Sequence, residues 1–134
     1  MEAPLPEGKH VILCVDDEAI PLILRKCVLE KLGYEVIAAA SGAEALQILE
    51  GQAVDLVLTD LLMPGFSGTE LARAIKQRKP HLPVVLFSGV NEVPEGAEVA
   101  DMFLSKVEGP VSMCEKLEAM LKNRAAASSA GSAA

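Results

Sequence analysis

Five short apolar runs alternate with helical patterns along this 134-residue chain. Most are near-continuous stretches of valine, isoleucine and leucine, which is typical of strands covered on both faces of a parallel sheet. Alternation of strands and helices predicts an α/β fold with right-handed crossovers. The runs lie at residues 10–15, 34–40, 54–58, 84–89 and 102–105. The sequence therefore predicts one α/β domain built on a five-stranded parallel sheet.

Glycine and capping residues delimit the helices between these runs. A first helix is predicted at about residues 18–32, ending before Gly33, because glycine is common just beyond a helix C-terminus. Ser67 and Glu70 have the spacing of a capping box, which predicts another helix after residue 67. The inward face of the first helix is predicted to consist of Ile20, Ile23, Leu24, Cys27 and Val28.

The C-terminal third of the chain has a weaker pattern. Pro94 and Gly96 interrupt residues 90–100, so the fourth helix is predicted to be short or irregular. A last helix is predicted to begin near Pro110. We expect a domain at residues 9–123, a disordered N-terminus at 1–8 and a disordered Ala/Ser-rich tail at 124–134. The inward stripe of the last helix is predicted to be Val111, Cys114, Leu117 and Leu121.

Composition argues against several classes of protein. The net charge is −7 with no basic stripe, so direct binding to nucleic acid is not expected. The three cysteines have no C-x-x-C spacing, which indicates reduced core or near-core thiols rather than a disulfide or metal framework. Neither a signal peptide nor an apolar run of about 20 residues is present. We therefore expect a cytoplasmic protein without a membrane partner.

Reactive side chains follow four of the five runs, at the strand ends where open α/β sheets bind ligands. Three carboxylates brought together there repel one another and require a cation, and oxygen ligands favour Mg²⁺. A lysine and a hydroxyl beside that cation would complete a pocket for a phosphoryl group. Asp60, after the central run, is the natural nucleophile. The full set is Asp16, Asp17, Asp60, Ser88 and Lys106.

Each of these residues also has an ordinary structural explanation. The pair Asp16-Asp17 could cap a helix, because a carboxylate is favoured at a helix N-terminus. Ser88 could cap a turn, and Lys106 could be a solvated surface charge. Their joint placement after strands one, three, four and five is harder to assign to chance, and it favours a shared site.

Four motifs resemble the receiver domain of two-component response regulators, over roughly residues 9–123. They are V-D-D-E at 15–18, L-T-D-L-L-M-P-G-F-S-G at 58–68, F-S-G at 87–89 and F-L-S-K at 103–106. The resemblance implies a flavodoxin-like (CheY-like), doubly wound (βα)5 fold with strand order 2-1-3-4-5. It further implies a phosphoacceptor that assists its own phosphorylation and dephosphorylation rather than a conventional enzyme.

The same resemblance implies a role for each acidic residue. Asp60 would accept the phosphoryl group from a phosphohistidine of a sensor histidine kinase or a histidine phosphotransfer protein, within a phosphorelay. Asp17 would bind Mg²⁺ directly and Asp16 mostly through water. Asp60 and the backbone carbonyl of Leu62 would complete the protein's ligands.

Three further residues acquire roles by this resemblance. Ser88 and Lys106 would hold the phosphoryl oxygens. Phe103 matches the aromatic switch position, which turns inward when the hydroxyl of Ser88 moves toward the phosphate, although ordinary strand packing explains Phe103 equally well. The switch would control binding of a downstream protein partner.

The chain departs from the family pattern in three places. Val107 replaces the usual proline after Lys106, which predicts either a trans bond with an altered loop or a strained cis bond, and either could slow phosphorylation. Only seventeen residues separate Ser88 from Lys106, several fewer than usual. Leu62 and Val90 are apolar where side chains flank the hydrolytic water, so we expect slow self-dephosphorylation.

Other interpretations stay open. The chain could be a receiver-like interaction module that is no longer phosphorylated, and it could be a stand-alone receiver or a piece of a larger regulator or hybrid kinase. A phosphohydrolase of the haloacid dehalogenase type is less favoured, because its acids have D-x-D spacing. A flavodoxin-like electron carrier is disfavoured because the chain has no Trp and one Tyr.

Overall fold

A sheet of five parallel strands, ordered β2-β1-β3-β4-β5, lies at the centre of the protein. The computed structural model describes residues 10–89 and 96–133. Its strands are β1 (Val11–Val15), β2 (Glu35–Ala39), β3 (Leu56–Asp60), β4 (Val84–Ser88) and β5 (Met102–Ser105). Its helices are α1 (Ala19–Lys31), α2 (Gly42–Gly51), α3 (Gly68–Arg78) and α4 (Gly109–Ala133). This confirms the doubly wound fold and the strand order.

Helices cover both faces of the sheet. Leu13 and Val57 pack on one side in a core that includes Ile75 of α3. Leu58 packs on the opposite side with Leu29 of α1 and Leu117 of α4. All five residues of β3 are buried, which agrees with its apolar start, Leu56, Val57 and Leu58, although it ends in the polar Thr59 and Asp60.

The connection between β4 and β5 has only a 3₁₀ turn, Ala97–Val99, in its described part. This confirms the prediction that the fourth helix is short or irregular. The side chain of Asp101, the residue before β5, connects this segment to β4 and α3. Its carboxylate accepts a hydrogen bond from the backbone amide of Val84 (2.8 Å) and pairs with Lys76 of α3 (2.6 Å).

The inward face of α1 differs from the predicted one. The helix buries Arg25 among apolar residues, while Ile20, Ile23 and Leu24 are exposed at 71%, 57% and 61%. The prediction was wrong because α1 carries two largely apolar stripes, and periodicity favours the one without an arginine. The buried residues are Leu22, Arg25 and Leu29, whereas Cys27 is exposed and Val28 is half-buried.

Helix α4 also corrects the prediction in part. Met113, Leu117 and Leu121 are buried, while Val111 is exposed and Cys114 is half-buried. The bounds of α4 extend to Ala133, and the expectation of a disordered tail at 124–134 stays a prediction. The N-terminal residues 1–8 lie outside the described part of the chain.

The three cysteines are free thiols. Cys14 is buried in β1, and burial raises its pKa to about 12. Cys27 is exposed, so the prediction of core or near-core thiols holds for Cys14 and the half-buried Cys114 but not for Cys27. Within residues 10–89 and 96–133, no helix has the length and apolarity required to cross a membrane.

Candidate functional site

Asp60 is the last residue of β3 and is 7% exposed. The chain turns sharply after it, because the amide of Gly68 donates to the carbonyl of Leu61 (2.8 Å). A β-carbon at Gly68 would lie 2.3 Å from the backbone oxygen of Asp60, so only glycine fits this approach. Ser67 and Glu70 form the predicted capping box, which begins α3 at this point. The loop therefore has a defined geometry beside the acid.

Lys106 follows β5 and reaches Asp60 across the edge of the sheet. Its Nζ lies 3.0 Å from Oδ1 of Asp60. Lys106–Glu108 forms a 3₁₀ turn that leads into α4 through Gly109, at φ 87°. The lysine therefore remains in the site with valine after it, and the two alternatives for the Lys106–Val107 bond stay predictions.

Three carboxylates meet at the same edge. Asp16, Asp17 and Asp60 each offer an oxygen within 4.8 Å of the others. Asp16 is 1% exposed and Asp17 is exposed. Because all three donors are hard oxygen atoms and one carboxylate faces solvent, the set fits Mg²⁺, which keeps several water ligands.

Both oxygens of Asp16 are engaged within the protein. Oδ1 accepts a hydrogen bond from the backbone amide of Glu18 (2.9 Å), and Oδ2 accepts one from Nη2 of Arg25 (3.1 Å). Asp16 is therefore held in place from two sides, at the base of the acidic cluster.

The predicted residues line a single open pocket of about 540 Å³ at the carboxyl edge of the sheet. Asp17, Asp60 and Lys106 lie around it with the buried Ser88 and the 65% exposed Leu62. The structure thus brings together the predicted phosphoacceptor, hydroxyl and lysine. Asp16 contributes an oxygen to the carboxylate cluster from below.

Burial raises the pKa of Asp60 above its ordinary value of 3.8. The hydrogen bond and charge of Lys106 lower that pKa in part. The negative charge of Asp16 raises it, and the positive charge of Arg25 lowers it. Asp60 is thus a partly desolvated carboxylate whose charge depends on neighbouring cations.

Two residues that border this site, Arg25 and Phe87, were assigned no role by the motifs. The guanidinium carbon of Arg25 lies 4.6 Å from the centre of the Phe87 ring, and Nζ of Lys106 lies 5.6 Å from it. Phe87 thereby links the cation beside Asp16 to the cation beside Asp60. The only sequence signal that Arg25 is buried was its position between Leu22 and Leu29 at helical spacing.

Phe103 lies on β5 and is partly buried. It packs against a small apolar cluster formed by Leu61, Leu86 and Ala97. This packing neither requires nor excludes the switch role, which stays a prediction.

Comparison with known proteins identifies the family. The sequence model described as "Response regulator receiver domain" matches residues 12–118. The alkaline phosphatase synthesis transcriptional regulatory protein PhoP of Bacillus subtilis (strain 168) is 32% identical over 115 residues, 83% of this chain and 48% of that protein. The CAI-1 autoinducer sensor kinase/phosphatase CqsS of Vibrio cholerae is 37% identical over 93 residues, 66% of this chain and 14% of that protein. This chain thus spans about half or less of these relatives.

Solved structures agree with the sequence comparison. The response regulator TrrA of Thermotoga maritima, in complex with Mg(2+)-BeF, matches with a TM-score of 0.77 and 32% identity, over 81% of this chain and 96% of that chain. A CheY-like receiver domain protein of Methanospirillum hungatei JF-1 matches with a TM-score of 0.79 and 30% identity, over 86% and 95% of the two chains.

Proposed function

Because this chain belongs to the family of response regulator receiver domains, we propose that it is a signalling switch in which Asp60 accepts a phosphoryl group from a phosphohistidine. The observation that supports this most directly is the setting of the Asp60 carboxylate. It lies 3.0 Å from the ammonium of Lys106 and within 4.8 Å of oxygens of Asp16 and Asp17. This arrangement supports a site in which Asp60 is the nucleophile, Lys106 binds the phosphoryl group and the carboxylates hold a metal ion.

The transfer forms one bond and breaks one. An oxygen of the Asp60 carboxylate bonds to phosphorus as the N–P bond of the phosphohistidine breaks. The electron pair of that bond stays on the imidazole, which leaves as a neutral base when its other nitrogen carries a proton. The product is an acyl phosphate on Asp60. Lys106 offsets the negative charge on the phosphoryl oxygens, and the hydroxyl of Ser88 donates to one of them.

The oxygen donors of the pocket would hold Mg²⁺. Asp17 and Asp60 would bind it directly with the backbone carbonyl of Leu62, while Asp16, already hydrogen-bonded on both oxygens, would act through water. When bound, the ion supplies positive charge that stabilises the transferring phosphoryl group. The solved structure of TrrA in complex with Mg(2+)-BeF supports this assignment by homology.

The proposal extends to signalling. Ser88 would move toward the phosphoryl group and Phe103 would change its packing against Leu61 and Leu86, which alters the surface near β5. That surface would bind or release a downstream protein partner. Neither nucleic acid nor a membrane is part of this proposal, because the chain carries a net charge of −7.

The phosphodonor is proposed to be a sensor histidine kinase or a histidine phosphotransfer protein. A face of α1 exposes Ile20, Ile23 and Leu24, and Leu24 lines a second cavity that shares Lys106 with the pocket. Exposed apolar side chains beside a reactive site favour docking of a protein donor. We propose the cytoplasm as the location, where free thiols such as Cys27 persist.

Intact-mass measurement tests the phosphoacceptor directly. The protein is incubated with acetyl phosphate and Mg²⁺, beside an Asp60→Ala variant and a sample with chelator. We expect a single adduct of about 80 Da on the parent, dependent on Mg²⁺ and absent from the variant. No adduct on a folded parent that binds Mg²⁺ would instead support the alternative, a constitutive interaction module.

A further inference from the structure

We infer that Arg25 is a positioning residue that binds Asp16 in place of a metal ion and thereby weakens the affinity of the acidic pocket for Mg²⁺. The inference rests on the proposed function in one respect, the assignment of the carboxylate cluster as a Mg²⁺ site. It assigns Arg25 a role that the folding of α1 alone does not explain.

Burial of Arg25 is the first step of the argument. Its side chain is 6% exposed, and it occupies the inward stripe of α1 between Leu22 and Leu29. Within the described part of the chain, its buried Nη1 has no hydrogen-bond partner. A buried, incompletely satisfied guanidinium is costly, and an apolar side chain would suffice for packing. The presence of an arginine at this buried position is therefore explained by the residues that it contacts, not by packing.

Those contacts connect it to the phosphoacceptor site. Nη2 of Arg25 lies 3.1 Å from Oδ2 of Asp16, and the guanidinium stacks on Phe87, whose other cationic neighbour is Lys106. A desolvated cation–π contact offsets part of the cost of burial. Arg25 thus supplies a fixed positive charge to the same acids that would attract a metal ion.

The consequence for the metal follows from charge and geometry. Both oxygens of Asp16 already accept a hydrogen bond, one from the amide of Glu18 and one from Arg25, so a metal ion would compete with the guanidinium for the negative charge of Asp16. The guanidinium also repels an incoming cation at short range. Of the two adjacent acids, the exposed Asp17 is therefore the one that would bind Mg²⁺ directly.

Isothermal titration calorimetry with Mg²⁺ alone tests the inference, without any phosphodonor. Arg25→Met removes the charge and keeps an apolar chain of similar length, and Arg25→Gln removes the charge and keeps a donor for Asp16. We expect both to bind Mg²⁺ about tenfold more tightly than the parent, while Arg25→Lys stays within about threefold. We also expect Arg25→Met to melt at a lower temperature without Mg²⁺, because the buried carboxylate of Asp16 loses its cationic partner and keeps only the amide of Glu18.

Lys26→Met is the matched control. Lys26 is the next residue on α1 and pairs with Glu30 at 3.0 Å on the surface, so its removal changes the net charge equally without touching the pocket. A merely structural role for Arg25 would lower stability without tightening Mg²⁺ binding. Unchanged or weaker Mg²⁺ affinity in both Arg25→Gln and Arg25→Met would overturn the inference.

The test separates this inference from the proposed function. Mg²⁺ binding to the parent with no gain in the Arg25 variants overturns only the role of Arg25. Absence of Mg²⁺ binding in every variant overturns both the role of Arg25 and the metal site of the proposed function. A gain in the two neutral variants, with Lys26→Met like the parent, supports both.

Discussion

Nζ of Lys106 lies 3.0 Å from Oδ1 of Asp60, although valine and not proline follows this lysine. The 3₁₀ turn at Lys106–Glu108 and the positive φ of Gly109 carry the chain from β5 into α4 with the lysine directed at the acid. A proline at residue 107 is therefore not required for this contact. The ion pair is the basis of the first prediction.

Replacement of Lys106 by methionine is expected to slow phosphorylation of Asp60 by acetyl phosphate roughly 100-fold, because the cation that stabilises the phosphoryl oxygens is lost. The rate is measured by intact mass over time at saturating Mg²⁺. Lys116→Met is the control, since Lys116 pairs with Glu108 outside the pocket. Equal rates for Lys106→Met and the parent would contradict the assigned role.

Replacement of Gly68 by alanine is expected to destabilise the fold by about 1–3 kcal/mol and to disturb the loop after β3. The new β-carbon would lie 2.3 Å from the backbone oxygen of Asp60 and 2.9 Å from Cα of Leu61. Urea unfolding measures the change. Gly51→Ala is the matched control, because a β-carbon there meets nothing within 4 Å, and we expect no loss or a gain of up to about 1 kcal/mol. Equal stability of the two variants would refute the steric explanation.

Asp60→Asn is expected to raise the melting temperature at pH 7 without Mg²⁺, by about 3 °C. The folded-state pKa of Asp60 is raised above 3.8, so the stability associated with its protonated form is present below that pH and is lost as the pH rises through the folded-state pKa. The advantage of Asp60→Asn should therefore shrink as the pH falls toward 3.8. Thermal melts of the parent and the variant between pH 7 and this pH measure the difference in melting temperature. An advantage of Asp60→Asn that grows as the pH falls would contradict the raised pKa of Asp60.

Self-dephosphorylation is expected to be slow, with a phosphoryl lifetime of minutes or longer. Leu62 lines the pocket and cannot orient water by hydrogen bonding. Leu62→Asn should shorten the lifetime of the adduct about tenfold by positioning a water molecule. Decay of the adduct is followed by intact mass after removal of the phosphodonor. Leu32→Asn serves as the control, because Leu32 is similarly exposed and lies at the C-terminal end of α1, outside the pocket lining. Decay of the adduct within seconds in the parent would rule out slow self-dephosphorylation.

The strands and the carboxyl-edge cluster could be predicted because each depends on local sequence. Apolar runs ending in Asp60 or Ser88 determine both the strand and the position of its last side chain. The irregular connection before β5 was also predictable, because proline and glycine disrupt helices wherever they occur. These features need no knowledge of which residues meet in space.

The inward face of α1 could not be predicted in the same way. Two stripes of the helix are apolar, and the correct one contains Arg25. Whether a buried arginine is tolerated depends on its partners, here Asp16, which follows β1, and Phe87, which lies on β4. Helical periodicity carries no information about such partners, so the sequence favoured the fully apolar stripe. For the same reason, the contacts of Arg25 and Lys106 with the Phe87 ring could not be predicted from the sequence.

The rigid turn between Asp60 and α3 has a consequence for how donors are distinguished. Gly68, its bond to Leu61 and the capping box order this turn in the folded protein, so the conformational entropy of the acceptor loop is lost on folding and not during the reaction. A small phosphodonor and a large one then meet the same preformed acceptor. Discrimination between cognate and foreign donors must consequently come from surfaces outside the pocket, and fidelity of signalling can evolve there without any change to the chemistry.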